Sequence, residues 1–127
     1  MLTEKDYCDY DTCVALKSLG YIGQGRHYYD RDKDPKELRH FGVQVLTTRS
    51  AEALNFVLAV HLYEAQKWLR ESRNLHVEVG YNPILSWYVY RVWEHQDEIA
   101  EGEAFPTYED ALNTAVYMAV EYLKEEK

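Results

Sequence analysis

The sequence predicts one α+β domain in which helices cover a small antiparallel sheet. The chain has 127 residues, the usual size of a single domain. Apolar residues make up 46% and charged residues 28% of the chain, which is ordinary globular usage. Segments with helical periodicity are interspersed with segments that alternate like strands, as in an α+β fold. We therefore expect one domain over residues 1–127, with possible sub-units at 1–49 and 50–127.

The first third of the chain predicts a short helix, a loop and a hairpin. A helix from Asp9 to Gly20 is indicated by an aspartate that can cap its start and by the glycine at its end. The glycines at 20, 23 and 25 predict a loop, because a phosphate-binding glycine loop would need a strand before it and a helix after it. β-rich residues at 27–29 and 43–47 predict the hairpin, with the charged stretch 30–40 as its connection.

The stretch from Ser50 to Arg73 allows two interpretations. An apolar stripe at helical spacing can continue from Ala51 to Leu69, which predicts one long helix. The compact apolar run Phe56 to Val60 can instead be extended, which leaves a turn of helix near Ser50 and a second helix that begins near Leu62.

The second half predicts a hairpin and a final helix. Residues 75–79 alternate apolar and polar, and residues 81–83 supply a turn before a second strand at 84–93. That strand carries aromatic side chains on both faces, so we expect it at the centre of its sheet. An acidic loop follows, with a short third strand near Phe105 as an option. Thr107 is the predicted N-cap of the last helix, whose first turn holds Glu109 and Asp110.

Several segments together resemble a known group of proteins. They are LGY at 19–21, LYEAQKWLRE at 62–71, LHVEV at 75–79 and FPTYEDAL at 105–112. Their order and spacing are similar to small uncharacterised proteins of gut Bacteroides-type bacteria, their phages and mobile elements. The resemblance implies a fold but no activity, and it favours a break between Ser50 and Leu62. Where that group has a Thr before the second helix, this chain has His61.

Acidic residues dominate the last third. The net charge is −8, and eight acids but no Lys or Arg lie between Val92 and Leu123. Such a surface would repel phosphates, so we expect no direct binding to nucleic acid. Five of these acids form the candidate interaction surface: Glu94, Asp97, Glu98, Glu101 and Glu103. A solvated loop that keeps the protein soluble is the alternative interpretation.

No motif predicts a metal or a cofactor. Asp30, Asp32 and Asp34 alternate as in a calcium loop, but the sixth and twelfth positions are Pro35 and Phe41. The five histidines are scattered, and no pair has the short spacing that is typical of a zinc site. The C-x4-C pair predicts free thiols, with Cys13 in the core. We expect neither a catalytic site nor a cofactor.

Two classes of function stay open. Twelve tyrosines and three tryptophans suit interface surfaces, so the leading hypothesis is a non-catalytic protein-interaction or accessory module with an unknown protein partner. The second is a small enzyme or ligand-binding domain that uses the Trp- and Tyr-rich sheet. The chain opens without a charged-then-apolar leader, and the run Phe56 to Val60 is far shorter than the roughly 20 residues that span a bilayer. We expect a cytoplasmic protein outside the membrane.

Overall fold

The computed structural model describes residues 4–42 and 44–125, and it confirms the α+β fold class. A short 3-10 helix lies at Glu4–Asp6. The α-helices are α1 (Tyr10–Ser18), α2 (Thr48–Ala53), α3 (Leu62–Arg73) and α4 (Tyr108–Glu125). The strands are β1 (Gln24–Gly25), β2 (His27–Asp30), β3 (Arg39–His40), β4 (Leu46–Thr47), β5 (Phe56–Leu58), β6 (Leu75–Asn82), β7 (Trp87–Glu94) and β8 (Asp97–Phe105). Within the described ranges no helix is long and apolar enough to cross a bilayer.

Helix α1 forms where the sequence predicts it. The Asp9 carboxylate accepts a hydrogen bond from the Thr12 backbone N–H at 2.9 Å and so caps the helix. At the other end Gly20 has a φ of +103°, a conformation that glycine adopts without strain. The Tyr21 N–H then reaches the Leu16 carbonyl at 2.9 Å, which closes the helix with a Schellman turn. The predicted stripe on its inner side, Cys13, Leu16 and Leu19, is buried.

The N-terminal hairpin is present, but its predicted pairing is wrong. His27 and Tyr28 pair with His40 and Arg39, inside the stretch predicted as a connection. Leu46–Thr47 pairs instead with Gln24–Gly25, and Val43 lies outside the described residues. These ladders are only two residues long, too short for an alternation of polar and apolar side chains to appear. A ring contact supports the β2–β3 pair, where His27 and His40 lie 5.0 Å apart between ring centroids.

The broken interpretation of the stretch from Ser50 to Arg73 is confirmed. Helix α2 ends at Ala53, and β5 pairs antiparallel with β2, so this pairing crosses the boundary between residues 49 and 50. Helix α3 begins after His61, whose Nδ1 accepts a hydrogen bond from the Tyr63 backbone N–H at 3.2 Å. His61 therefore caps α3 where the resembling group has a Thr.

The C-terminal sheet has the order β6-β7-β8, so β7 is central as predicted. The predicted start of its strand at Ile84 is wrong, because Ile84 and Leu85 lie in the turn. The Asn82 side chain accepts hydrogen bonds from both of their backbone N–H groups, and Ser86 closes the turn at a φ of +57°. An Asx turn of this kind competes with strand extension. Ile84 is consequently 89% exposed.

Helix α4 covers one face of this sheet and joins it to the rest of the core. It contacts β6, β7 and β8, and also α1, α3 and the 3-10 helix. Thr107 caps it as predicted, since its Oγ1 accepts a hydrogen bond from the Asp110 N–H at 3.1 Å. Its fully buried stripe is Ala111, Leu112, Ala115, Val116, Ala119 and Val120. Burial of each large side chain stabilises the fold by roughly 1.5–3 kcal/mol.

We expect Thr107→Ala to lower the free energy of unfolding by about 1 kcal/mol, because the first turn of α4 would lose its side-chain acceptor. Urea denaturation followed by circular dichroism measures this change. Thr107→Ser keeps the hydroxyl and is the matched control, with an expected loss of less than half that size. Equal losses in both variants would contradict the capping role.

Candidate functional site

The acidic tract is an edge strand, and its prediction as a loop is wrong. Among the described residues, strand β8 pairs with β7 alone. The register between the two strands has two irregularities, so the paired stretch of β8 contains more residues than that of β7. These bulges interrupt the alternation along the tract, which is why the sequence looks like a loop. Ile99 and Ala100 pack against the core, while Gly102 makes room for the Tyr90 ring. A Cβ at Gly102 would lie 2.3 Å from the Tyr90 ring.

The five predicted acids divide between two places. Glu98 and Glu101 lie opposite Trp93 and Arg91 of β7, on the face of the sheet away from α4, and Glu103 lines the same depression as Glu101. The other two lie at the β7–β8 turn. There Glu94 pairs with Asp97 and accepts a hydrogen bond from the Tyr122 hydroxyl at 2.6 Å.

We call the face of this sheet that α4 does not cover the open face. Its side chains alternate with those that α4 covers, so the register assigns them. On β6 and β7 they are His76, Glu78, Asn82, Trp87, Val89, Arg91 and Trp93, and on β8 they are Glu98, Glu101 and Glu103. Four carboxylates thus share this face with one guanidinium group.

Arg91 is the centre of this charge arrangement. It lies directly opposite Glu78 on one side and Glu101 on the other, and its Nε is 3.9 Å from a Glu98 oxygen. A hydrogen bond shared with Glu101 raises the pKa of the Glu98 carboxyl, helped by desolvation and by the charge of Glu101, while Arg91 acts against this. One arginine therefore does not offset the repulsion between these carboxylates.

Sequence reasoning placed Trp87 and Arg91 on one face of the strand but missed Glu78 as a member of the site. The Trp93 indole N–H donates a hydrogen bond to a Glu78 oxygen at 2.6 Å, across the β6–β7 pair. The polar half of the alternation at 75–79 is the only sequence signal for Glu78, and it gives no partner. The register of two strands was needed to bring Glu78 beside Arg91 and Trp93.

Two shallow depressions meet on the open face. One of about 400 Å³ is lined by Asn82, Val89, Arg91, Glu101 and Glu103, among others. The second, about 260 Å³, extends over Glu78 and Gly80. Val89 and Arg91 line both depressions, which therefore lie side by side on this face.

Trp68 is not part of this face. It lies on α3, where its ring packs edge-on against the Tyr21 ring at 5.9 Å between ring centroids. The Arg73 guanidinium lies over the Trp68 ring, 5.5 Å from its centroid. A cavity of about 480 Å³ lies between these two rings, the loop at 22–24 and the polar face of α3. The Tyr21 hydroxyl faces this region, and burial followed by the charge of Glu64 raises its pKa to about 12.

Three histidines that are scattered in the sequence come together around Tyr7. The Tyr7 hydroxyl is 3.1 Å from His27 Nδ1, and its ring lies 5.4 Å from that of His61. His27 and His40 face each other across the β2–β3 pair at 5.0 Å between ring centroids. The strand register and the cap of α3 bring them together, and neither is visible in residue spacing.

The hydrogen bonds of this cluster do not suit metal ligation. His40 Nδ1 accepts from the Gly42 N–H and His61 Nδ1 accepts from the Tyr63 N–H, so Nε2 holds the proton in each neutral ring. A metal needs a ring nitrogen with a free lone pair. Over residues 4–42 and 44–125, no group of three possible metal ligands is found.

The aspartates at 30–34 form a turn closed by the chain itself. The Asp30 carboxylate accepts from the Asp32 N–H, and the Asn55 amide donates to Asp32 at 2.9 Å. The Lys36 ammonium bonds to two carbonyl oxygens of the same turn. These contacts account for the turn as a structural element.

Both cysteines are free and buried. Cys13 lies in the core as predicted, where its sulfur accepts the Val60 N–H at 3.3 Å and donates to the Cys8 carbonyl at 3.6 Å. The neighbouring Cys13 thiol and burial raise the pKa of Cys8 well above its usual range. A thiol that resists ionisation is a poor nucleophile, so Cys8 acts as a packing residue.

Comparison with known proteins identifies no relative. No protein-family model matches the chain, and neither curated proteins nor solved structures yield a match. The resemblance drawn from the sequence segments therefore stays a prediction.

We expect His27 to make stability depend on pH. Burial and the charge of His40 lower the pKa of His27 below its ordinary value of 6.5, so the unfolded chain binds this proton more readily than the folded one. The stability that neutral His27 contributes to the folded chain is complete above about pH 6.5. It is lost as the pH falls towards the lower pKa that His27 has in the folded chain. We measure the free energy of unfolding by urea denaturation between about pH 7.5 and 5.5. Its slope against pH should be smaller for His27→Asn than for the native chain.

The control for this measurement is His76→Asn, since His76 is exposed on the open face, away from the Tyr7 cluster. Its slope should match that of the native chain. A His27→Asn slope equal to that of the native chain would show that this ring does not carry the pH dependence.

Proposed function

We propose that this chain is a non-catalytic protein-interaction module that docks on a basic surface of a partner protein. The observation that carries the proposal is the open face of the β6–β8 sheet. Four carboxylates surround one guanidinium group there, and two indole rings, Trp87 and Trp93, lie in the same plane of side chains. A face of this composition is complementary to Lys and Arg side chains.

The chemistry of the contact follows from these groups. A Lys or Arg of the partner that reaches Glu98 and Glu101 would form charge-assisted hydrogen bonds in place of the hydrogen bond between these two carboxyls that raises the pKa of Glu98. A cation placed over the half-buried ring of Trp87 or Trp93 gains about 0.5–1 kcal/mol more. Because the carboxylates are close together, each bound cation lowers the free-energy cost of keeping the neighbouring carboxylate ionised.

The partner is expected to lie on the face rather than to extend the sheet. Strand β8 is a free edge, but its two bulges bend it and its acids flank the exposed backbone. Both features are known to discourage the addition of another strand. The depressions around Val89 and Arg91 offer a better seat for side chains.

A basic surface of this kind commonly serves to bind nucleic acid. The carboxylates of the open face would then stand where phosphates lie, and the module would act as an inhibitor or accessory factor. This role would suit a phage or mobile element, which is the origin that the sequence resemblance implies.

A second candidate is a ligand-binding domain, and the cavity beside Trp68 favours it. Its volume of about 480 Å³ is in the range of small-molecule sites. It lies on α3, however, not on the sheet where the sequence predicts a Trp-lined site. A ligand that quenches tryptophan fluorescence in the native chain but not in Trp68→Phe would support this candidate over the first.

The test of the proposed function is affinity capture from a lysate of the cells that produce the protein, followed by mass spectrometry. Glu98→Gln/Glu101→Gln/Glu103→Gln should retain the captured basic partner about tenfold less than the native chain at low salt. Raising the salt should release the partner from the native chain, since the Debye length falls from about 10 Å at 0.1 M to about 3 Å at 1 M.

The matched control removes the same charge elsewhere. Glu37→Gln/Glu71→Gln/Glu125→Gln changes three exposed acids that lie outside the open face. It should retain the partner like the native chain. If both triple variants retain the partner to the same extent, the carboxylates of the open face do not govern the capture. An equal loss in both would assign the capture to net charge.

A further inference from the structure

A second concave surface lies between α1 and α4. Tyr117 lines two cavities of about 460 and 340 Å³, one toward the start of α4 and one toward its end, and we call the two together the α1–α4 groove. Every third or fourth residue of α4 contributes to it: Asp110, Asn113, Thr114, Tyr117, Glu121 and Lys124. From the α1 side come Asp9, Tyr10, Asp11, Val14, Ala15 and Ser18.

The dimensions of this groove fit a helix. Two neighbouring helices leave a groove between their ridges into which a third helix can pack. From Asp110 to Lys124 the groove follows α4 for about 21 Å, at 1.5 Å per residue. A helix of about four turns would fill that length.

The floor of the groove is apolar and aromatic. Tyr117 is 39% exposed although Val116 and Val120, its neighbours on α4, are buried. Tyr10 and Val14 of α1 are half-buried beside it. The Tyr10 ring already receives one cation of the chain itself, the Lys36 ammonium at 5.2 Å from its centroid. Exposed tyrosines of this kind supply contact area at little cost in side-chain entropy.

The rim of the groove is acidic. Asp9, Asp11, Asp110 and Glu121 stand against Lys124, which pairs with Glu121 at 3.5 Å. Their field converges on Tyr117, because the charge of Glu121 and a hydrogen bond to it, followed by weaker effects that include Asp9 and Asp11, raise the pKa of its hydroxyl. An apolar floor between carboxylates selects a ligand that is apolar on one side and basic at its margins.

We propose that the α1–α4 groove binds an amphipathic helix of a partner protein, with its apolar side on Tyr117, Tyr10 and Val14 and its Lys or Arg residues at the acidic rim. Charge complementarity selects this occupant over an acidic or neutral helix. The groove and the open face of the sheet have no residue in common. The two surfaces can therefore be tested, and can fail, independently.

The test titrates the full ¹⁵N-labelled chain with a synthetic peptide of about 15 residues, with Leu on one helical side and Lys on the other. Amide shifts should concentrate at Val14, Thr114 and Tyr117, with a dissociation constant in the micromolar range. Tyr117→Ala should weaken binding about tenfold or more, and Tyr117→Phe should restore most of it. Asp11→Asn should weaken binding about threefold and reduce its salt dependence.

Two controls make the outcome decisive. A peptide of the same composition with its leucines spread evenly around the helix should bind at least tenfold more weakly, since it lacks an apolar side. Glu98→Gln/Glu101→Gln/Glu103→Gln should bind the amphipathic peptide like the native chain. Absence of binding at about 1 mM, shifts on the open face instead, or equal binding of the two peptides would each overturn the proposal.

Discussion

The close packing of α4 on the β6–β8 sheet is the interaction on which the rest of the structure depends. Alanines at 111, 115 and 119 are fully buried, and their small side chains let the helix approach the strands. Leu112, Val116 and Val120 fill the space between these alanines. Because α4 also contacts α1 and α3, the same helix connects the C-terminal sheet with the N-terminal elements. One hydrophobic cluster consequently extends from Tyr7 to Val120.

This packing also explains where the charges lie. Successive residues of a strand point to opposite faces, and α4 packs against the face of β6, β7 and β8 that carries their apolar side chains. The polar set must then emerge together on the open face. Arg91 is surrounded by carboxylates there because its two neighbours in the register are Glu78 and Glu101. The interaction surface is thus a consequence of how the core is built.

The excess of acid is therefore organised into surfaces of different shape. On the open face the carboxylates surround Arg91 and two indole rings in shallow depressions. In the α1–α4 groove they line the rim of an elongated apolar floor. The first suits single basic side chains on a folded surface, whereas the second suits a helix. If both proposals hold, a chain with a net charge of −8 would discriminate between basic partners by shape as well as by charge.

Features of this protein that rest on local chemistry are predictable from the order of its amino acids. Thr107 as the cap of α4, Asp9 or Asp11 as the cap of α1 and the central position of the aromatic strand are predictable, because each depends on neighbouring residues or on periodicity along one strand. Register is a different matter. The bulges of β8 and the two-residue pairings of β1 to β4 depend on contacts between residues far apart in the chain, so the acidic tract looked like a loop and the first hairpin was paired wrongly. Only the tertiary structure could bring Glu78 beside Arg91, or Asp11 beside Tyr117, because packing across elements sets those distances and no pattern within one element records them.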